Sequence, residues 1–78
     1  MSAEAALASR TWSVGRYECT LTVPRPRPGD VLHAVMEWAP EQPRRLSSSQ
    51  MRQYRRGRNQ AVAEVAQQLG ISAAVVEL

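Results

Sequence analysis

The second half of the sequence predicts one long helix that occupies more than a quarter of the chain. Ser47 and Gln50 have the spacing of a capping box, in which each side chain accepts a hydrogen bond from the other residue's backbone N–H. Gly70 stands where a helix commonly ends in a left-handed residue. Residues 48–69, which lie between these two signals, contain no proline. A helix of this length in a chain of 78 residues leaves room for only a small sheet beside it.

Alternating residues ahead of the helix predict two strands. Apolar side chains occupy every second position from Tyr17 to Val23, and the strand can extend back to residue 12 if Gly15 forms a bulge or bend. The proline-rich stretch 24–30 cannot continue a ladder and ends the strand. Residues 31–38 form the second strand, so the two strands make a β-hairpin with a stiff loop.

The remaining segments complete a small α+β domain. Residues 71–77 are short and β-branched, which predicts a C-terminal strand. The expected fold is ββαβ, a three-stranded sheet made of the hairpin and the C-terminal strand, with the helix packed on one face. This domain covers residues 11–78 and follows a flexible N-terminal tail, residues 1–10. The predicted core consists of Leu21, Val23, Met36, Val62, Val65, Leu69 and Val75.

A single helix covers only one face of a sheet, and this predicts self-association. The open face is expected to carry Val31, His33 and Val35 together with Val75 or Val76, an apolar strip typical of an interface. A domain of this size gains only ~3–5 kcal/mol from its core. One cysteine cannot form an internal disulfide. We therefore expect a homodimer, formed through this face or along a strand edge.

Arginine is concentrated in and just before the first half of the helix. Six arginines and no acid lie between residues 44 and 58. The N-terminus of a helix already carries partial positive charge, so cations there are locally unfavourable and an anionic partner would account for them. The predicted partner-binding residues are Arg44, Arg45, Arg52, Tyr54, Arg55, Arg56 and Arg58.

Arg58 falls within the apolar arc of the helix, where an unpaired buried arginine is untenable. One solution is that the helix covers the sheet only from Ala61 onwards, while its first half overhangs the sheet and keeps its arginines in solvent. The competing solution is a break near residues 57–59 that gives two shorter helices.

Three interpretations of the arginines remain open. They could neutralise nucleic-acid phosphates, dock on an acidic protein, or form a solvated face. No helix-turn-helix, zinc-finger, RRM or KH motif accompanies them. All ten basic residues are arginine, which also fits a GC-rich genome. The sequence thus predicts a small binding protein for nucleic acid, or an interaction or inhibitor module of a phage, plasmid or other mobile element.

No residue pattern predicts catalysis, a metal or a cofactor. Cys19 and His33 could be neighbours across the hairpin, but their positions favour packing over nucleophilic catalysis. Glu18 and Glu37 could face each other, and salt bridges to arginine are the simpler expectation. We therefore expect no enzyme activity, no cofactor and no small-molecule substrate. The N-terminus has neither the basic region nor the apolar run of a signal peptide. Together with the lack of an apolar run of ~20 residues and the single thiol, this predicts a cytoplasmic protein without membrane association.

Overall fold

The computed structural model describes residues 6–73 and contains three strands followed by one helix. The strands are β1 (Ala8–Val14), β2 (Tyr17–Val23) and β3 (Val35–Ala39), and the helix is α1 (Ser48–Leu69). The α+β class and the three-stranded sheet with one helix on one face are confirmed. The three strands all precede the helix, so the order within the described residues is βββα and not ββαβ.

The sheet is antiparallel, with β2 in its centre. The predicted strand over residues 12–23 is in fact a hairpin, because a two-residue turn at Gly15-Arg16 separates β1 from β2. Gly15 has a φ of 60°, the conformation that the first central residue of a type II′ turn requires. Of the predicted hairpin partner, residues 31–38, only residues 35–38 form a strand, as part of β3, while residues 31–34 belong to the loop before it.

Both chain ends differ from the sequence expectation. β1 begins at Ala8, inside the predicted tail of residues 1–10, and Ala8 is buried. The strand predicted at residues 71–77 lies mostly outside the described residues, and its described part, 71–73, forms no strand. The chain leaves the helix there through a turn in which the Ile71 N–H donates to the Ala66 carbonyl.

The helix has the predicted bounds and the predicted caps. Ser47 accepts a hydrogen bond from the backbone of Gln50, whose side chain accepts one from the backbone of Ser47. Gly70 adopts the left-handed conformation at the other end, with a φ of 69°. The helix is continuous, so the alternative of a break near residues 57–59 is wrong.

The helix packs along its whole length on the sheet face that carries the even-numbered residues of β1. Its C-terminal half covers the core, and its N-terminal half reaches the β1–β2 turn, where the Gly15 N–H donates to Gln53 Oε1 at 2.6 Å. The expectation that the first half overhangs the sheet is therefore wrong.

The core lies between α1 and the sheet. Of the predicted core residues, Leu21, Val23 and Val65 are fully buried, and Val75 lies outside the described residues. Met36, Val62 and Leu69 are partly buried and pack against this core. Six residues outside the predicted core are also buried: Ala8, Val14, Cys19, Ala34, Ala61 and Ala66.

The open face of the sheet is rich in hydroxyl groups, which overturns the expected apolar strip. Val35 is the one large apolar side chain on it from the described strands, while Val31 and His33 lie in the loop before β3. The hydroxyls of Thr11 and Thr20 hydrogen-bond each other at 2.8 Å. A homodimer through an apolar open face therefore loses its physical basis, and dimerisation stays a prediction. The open face consists of Ser9, Thr11, Ser13, Glu18, Thr20, Thr22, Val35, Glu37 and Ala39.

Candidate nucleic-acid interface

An aromatic cluster fixes the first half of α1 on the sheet. Tyr54 stacks on Trp38 with ring centroids 5.5 Å apart and also contacts Trp12 at 6.3 Å. Tyr17 meets Trp38 edge to face at 6.3 Å. The four rings join β1, β2, β3 and α1, and such pairs add about 0.5–1.5 kcal/mol each beyond simple burial. The arginine-rich half of the helix is thereby held in one orientation.

A close approach between helix and strand supports the same orientation. Gly57 is buried, and the Trp12 indole occupies the space that a β carbon on Gly57 would need. The glycine therefore lets the helix backbone lie directly on the indole. Trp12 Nε1 is buried there without a hydrogen-bond partner.

The structure places the predicted arginines on the outside of this helix and just before it. Arg52, Arg55 and Arg56 are exposed, as are Arg44 and Arg45 in the preceding segment. The six residues that helical periodicity places opposite the apolar arc are all exposed. They are Arg52, Arg56, Asn59, Gln60, Ala63 and Gln67.

The structure shows how Arg58 can lie in the apolar arc of the helix without burying an unpaired charge. It is half-buried, yet none of its nitrogen atoms is among the buried polar atoms without a partner. Its aliphatic stem therefore packs on the protein while its guanidinium reaches solvent, as long basic side chains commonly do. Neither an overhang nor a helix break is needed.

Within residues 6–73 the six arginines have no acidic partner. The two ion pairs of this part of the chain use other arginines: Arg10 lies 3.4 Å from Glu64, and Arg16 lies 3.7 Å from Glu41. Residues 42–63 hold six arginines and no acid, whereas the rest of the chain holds four arginines and seven acids. The positive charge is thus concentrated on one segment of an otherwise acidic chain.

Tyr54 differs from the arginines in its surroundings. Its ring lies between Trp12 and Trp38 and is half-exposed. In this structure the ring anchors the helix, and a contact between Tyr54 and nucleic acid stays a prediction. All four aromatic residues, which looked scattered in the sequence, meet because the two-residue turn brings β1 beside β2.

A small groove lies beside the arginines, between α1 and β1. It has a volume of about 230 Å³, below the ~300–1,000 Å³ of typical small-molecule sites. Its lining contains one cation, two amides and no acid. The lining residues are Trp12, Ser13, Gln53, Arg56, Gly57 and Gln60.

The sequence pairs considered for catalysis are not assembled as sites. Cys19 is fully buried and pairs across the ladder with Trp38, while His33 is exposed in the loop before β3. Burial raises the pKa of the Cys19 thiol to about 11, so the nucleophilic thiolate is disfavoured. Glu18 and Glu37 share the open face but stand opposite Ala39 and Thr20. Arg16, the arginine nearest to Glu18 in the sequence, pairs with Glu41 and not with either of them.

No group of three or more metal-binding side chains occurs within residues 6–73. In the same part of the chain no helix is long and apolar enough to cross a membrane. The clearest chemical feature of the described residues is therefore an exposed array of guanidinium groups on a helix that is anchored to the sheet, an arrangement suited to binding anions.

Comparison with known proteins adds no relative: no family model, no curated protein and no solved structure matches this chain.

Proposed function

We propose that the protein binds nucleic acid through the arginines of α1 and of the segment before it. The observation that carries the proposal is the set of exposed guanidinium groups that have no acidic partner among residues 6–73, held outward by a helix that is anchored on the sheet. Guanidinium groups match phosphate oxygens in a bidentate geometry, and a rigid helix loses little entropy when it presents them.

The contacts are expected to go mainly to phosphates. Arg52 and Arg56 lie one helical turn apart, about 6 Å along the axis, with Arg55 beside them. This spacing lets the three cations contact successive backbone groups without any fixed base sequence. Binding of this type releases counterions, so it is largely independent of sequence and weakens steeply with salt.

An acidic protein is the second candidate ligand, because carboxylates also match guanidinium groups. The distribution of arginines favours nucleic acid, since the cations extend from the segment before α1 to Arg56 on its outward face. A nucleic-acid ligand also fits the cytoplasmic location and the accessory role in a phage or plasmid that the sequence suggests. The proposal assigns no catalytic residue, cofactor or small-molecule substrate.

One titration separates the two candidates. The full chain is mixed with fluorescent oligonucleotides of mixed sequence, duplex and single-stranded, at ~50 mM salt. Poly-glutamate of matched charge is titrated in parallel as the protein-like polyanion. Binding of either oligonucleotide, with affinity above that for poly-glutamate, supports the proposal. Absence of oligonucleotide binding at this salt rejects it and leaves the interaction with an acidic protein.

A further inference from the structure

Strand β1 presents a free edge to solvent. The strand order β1-β2-β3 places β1 at the margin of the sheet, and none of residues 6–73 pairs with its outer side. β1 has seven residues and contains no proline or lysine, the residues that commonly protect an edge from further pairing. This edge can therefore accept another strand.

The hairpin determines which backbone groups of β1 point outward. In a two-residue turn the flanking pair, Val14 with Tyr17, is a hydrogen-bonded pair, and such pairs alternate along an antiparallel ladder. The backbone groups of Arg10 and Trp12 therefore point to β2. Those of Thr11 and Ser13 point away from the sheet, as those of Ser9 also do.

The groove described above runs along this same edge. Ser13 directs its side chain to the open face, so it can line a groove shared with α1 only at the outer margin of the strand. Two contacts between strand and helix bound the groove. The Gly15 N–H donates to Gln53 at one end, and the ion pair between Arg10 and Glu64 closes the other.

The charge of the groove indicates the nature of its occupant. Arg56 contributes an exposed guanidinium, Gln53 and Gln60 contribute amides, and no acid lines the groove. Glu64, the acid next along this side of the helix, is already paired with Arg10. An incoming segment with a carboxylate opposite Arg56 would thus meet a complementary charge.

The position of the helix excludes a second copy that pairs antiparallel with β1, since both helices would then lie on the same face of the sheet. α1 packs chiefly over β1, and neighbouring strands lie only ~4.8 Å apart. Two copies joined through β1 would bring their helices far closer than the ~8–10 Å that packed helices need. An extended segment that carries no helix above it has room in the same place.

We propose that the outer edge of β1 binds an extended, acidic peptide segment of another protein as a fourth strand. The backbone groups of Thr11 and Ser13 supply the ladder, and Arg56 pairs with a carboxylate of the peptide. Main-chain pairing of this kind gives affinity, while the groove between strand and helix gives selectivity. The site is independent of the nucleic-acid proposal, although Arg56 borders both surfaces.

Amide hydrogen exchange tests the proposal. In the free protein the amides of Thr11 and Ser13 should exchange quickly, while those of Arg10 and Trp12 are protected. Protection of Thr11 and Ser13 in the free protein would mean that the edge is already paired, and would overturn the proposal.

The same measurement is then made with two pools of octapeptides. Both pools have Val, Ile, Thr or Tyr at seven positions, and the fourth position is Glu in one pool and Lys in the other. The Glu pool should slow exchange at Thr11 and Ser13 at least about tenfold, and the Lys pool should not. No slowing by either pool, or equal slowing by both, would overturn the proposal.

Two variants separate this site from the arginine face. Ser13→Pro removes an outward N–H without removing a bond to β2, and Ser13→Ala is the matched control that keeps the N–H. Ser13→Pro should abolish the effect of the Glu pool, and Ser13→Ala should keep it. Oligonucleotide binding should be the same in both variants.

Gln60→Glu provides a second route if proline disturbs the strand, because it places a negative charge in the groove at an exposed position. It should weaken the effect of the Glu pool at least about fivefold. Arg52→Gln, which lies outside the groove, should leave the peptide effect unchanged while it weakens oligonucleotide binding. Loss of the peptide effect in Arg52→Gln and not in Gln60→Glu would contradict the assignment to the edge of β1.

Discussion

The Trp12 indole lies directly on the backbone of Gly57, in the space where any other residue would place its β carbon. Glycine inside a helix costs about 1 kcal/mol relative to alanine. The contact with Trp12, the largest side chain of β1, outweighs this cost of glycine. It brings α1 close enough to the sheet for the Tyr54 ring to contact both Trp12 and Trp38.

Gly57→Ala should therefore destabilise the protein, although alanine is the better helix former. The added methyl group displaces the ring of Trp12, and overpacking of this kind costs about 1–3 kcal/mol. After the gain of about 1 kcal/mol in helix propensity, the net loss measured by urea unfolding should be up to about 2 kcal/mol. Trp12→Leu in the same chain should reduce the penalty of the alanine. A stabilised Gly57→Ala variant would show that the contact is absent.

The N-terminal cap of α1 gives a second test. Ser47→Ala removes the hydroxyl that accepts from Gln50 and should cost about 1 kcal/mol. In a domain of this size that corresponds to a fall of roughly 4–8 °C in melting temperature. The matched control is Ser48→Ala, one residue into the helix and exposed, which should change stability by less than ~0.5 kcal/mol. Equal effects of the two substitutions would contradict the capping box.

Tyr54 should behave as a structural residue. Tyr54→Ala removes a half-buried ring that stacks on Trp38, so stability should fall by about 2 kcal/mol, less than the ~3–5 kcal/mol of a fully buried ring. Tyr54→Phe keeps the stack and should leave both stability and oligonucleotide affinity nearly unchanged. If Tyr54→Phe weakens oligonucleotide binding severalfold while the fold is intact, the hydroxyl of Tyr54 contacts the ligand after all.

The buried thiol of Cys19 should make the folded protein less stable in alkaline solution. Burial raises the pKa of this thiol from 9.0 to about 11 in the folded chain, so the folded state holds its proton where the unfolded state loses it. The contribution is complete below pH 9.0 and is lost as pH rises towards 11. The free energy of unfolding should drop in that window by on the order of 2 kcal/mol.

The control for this effect is Cys19→Ala, which lacks the titrating group. Its free energy of unfolding should depend less on pH between 9.0 and 11 than that of the parent chain. The thiol of the folded parent should also react slowly with iodoacetamide near neutral pH and quickly in urea. Equal pH dependence of the two chains would place the cause in other groups.

The helix and the alternating strands could be predicted from the sequence, because capping residues and the spacing of apolar residues are set by neighbouring residues in the chain. The turn at Gly15-Arg16 was missed, although the sequence carries a signal for it. Apolar residues occupy even positions at Trp12 and Val14 and odd positions from Tyr17 onwards. A straight strand would send these two sets to opposite faces, whereas a two-residue turn brings them to one face.

That single turn accounts for most of what the sequence left unpredicted. It makes β1 an edge strand, so the groove beside Arg56 could not be foreseen from a strand that ran unbroken through Gly15. It also brings Trp12 beneath the helix, where its indole packs against the backbone of Gly57. The exposure of Arg52 and Arg56 was predictable, since it follows from helical periodicity alone.

The arginines of α1 give the decisive prediction for function. Replacing Arg52 and Arg56 together by glutamine should lower oligonucleotide affinity and reduce the log–log salt slope by about one to two units, because each lost phosphate contact removes nearly one unit. The matched control replaces Arg25 and Arg27, two exposed arginines of the β2–β3 loop, and makes the same change in net charge. It should leave the salt slope within about half a unit of the parent value. Equal reductions in the two double variants would mean that net charge alone drives binding and that the face of α1 is not the interface.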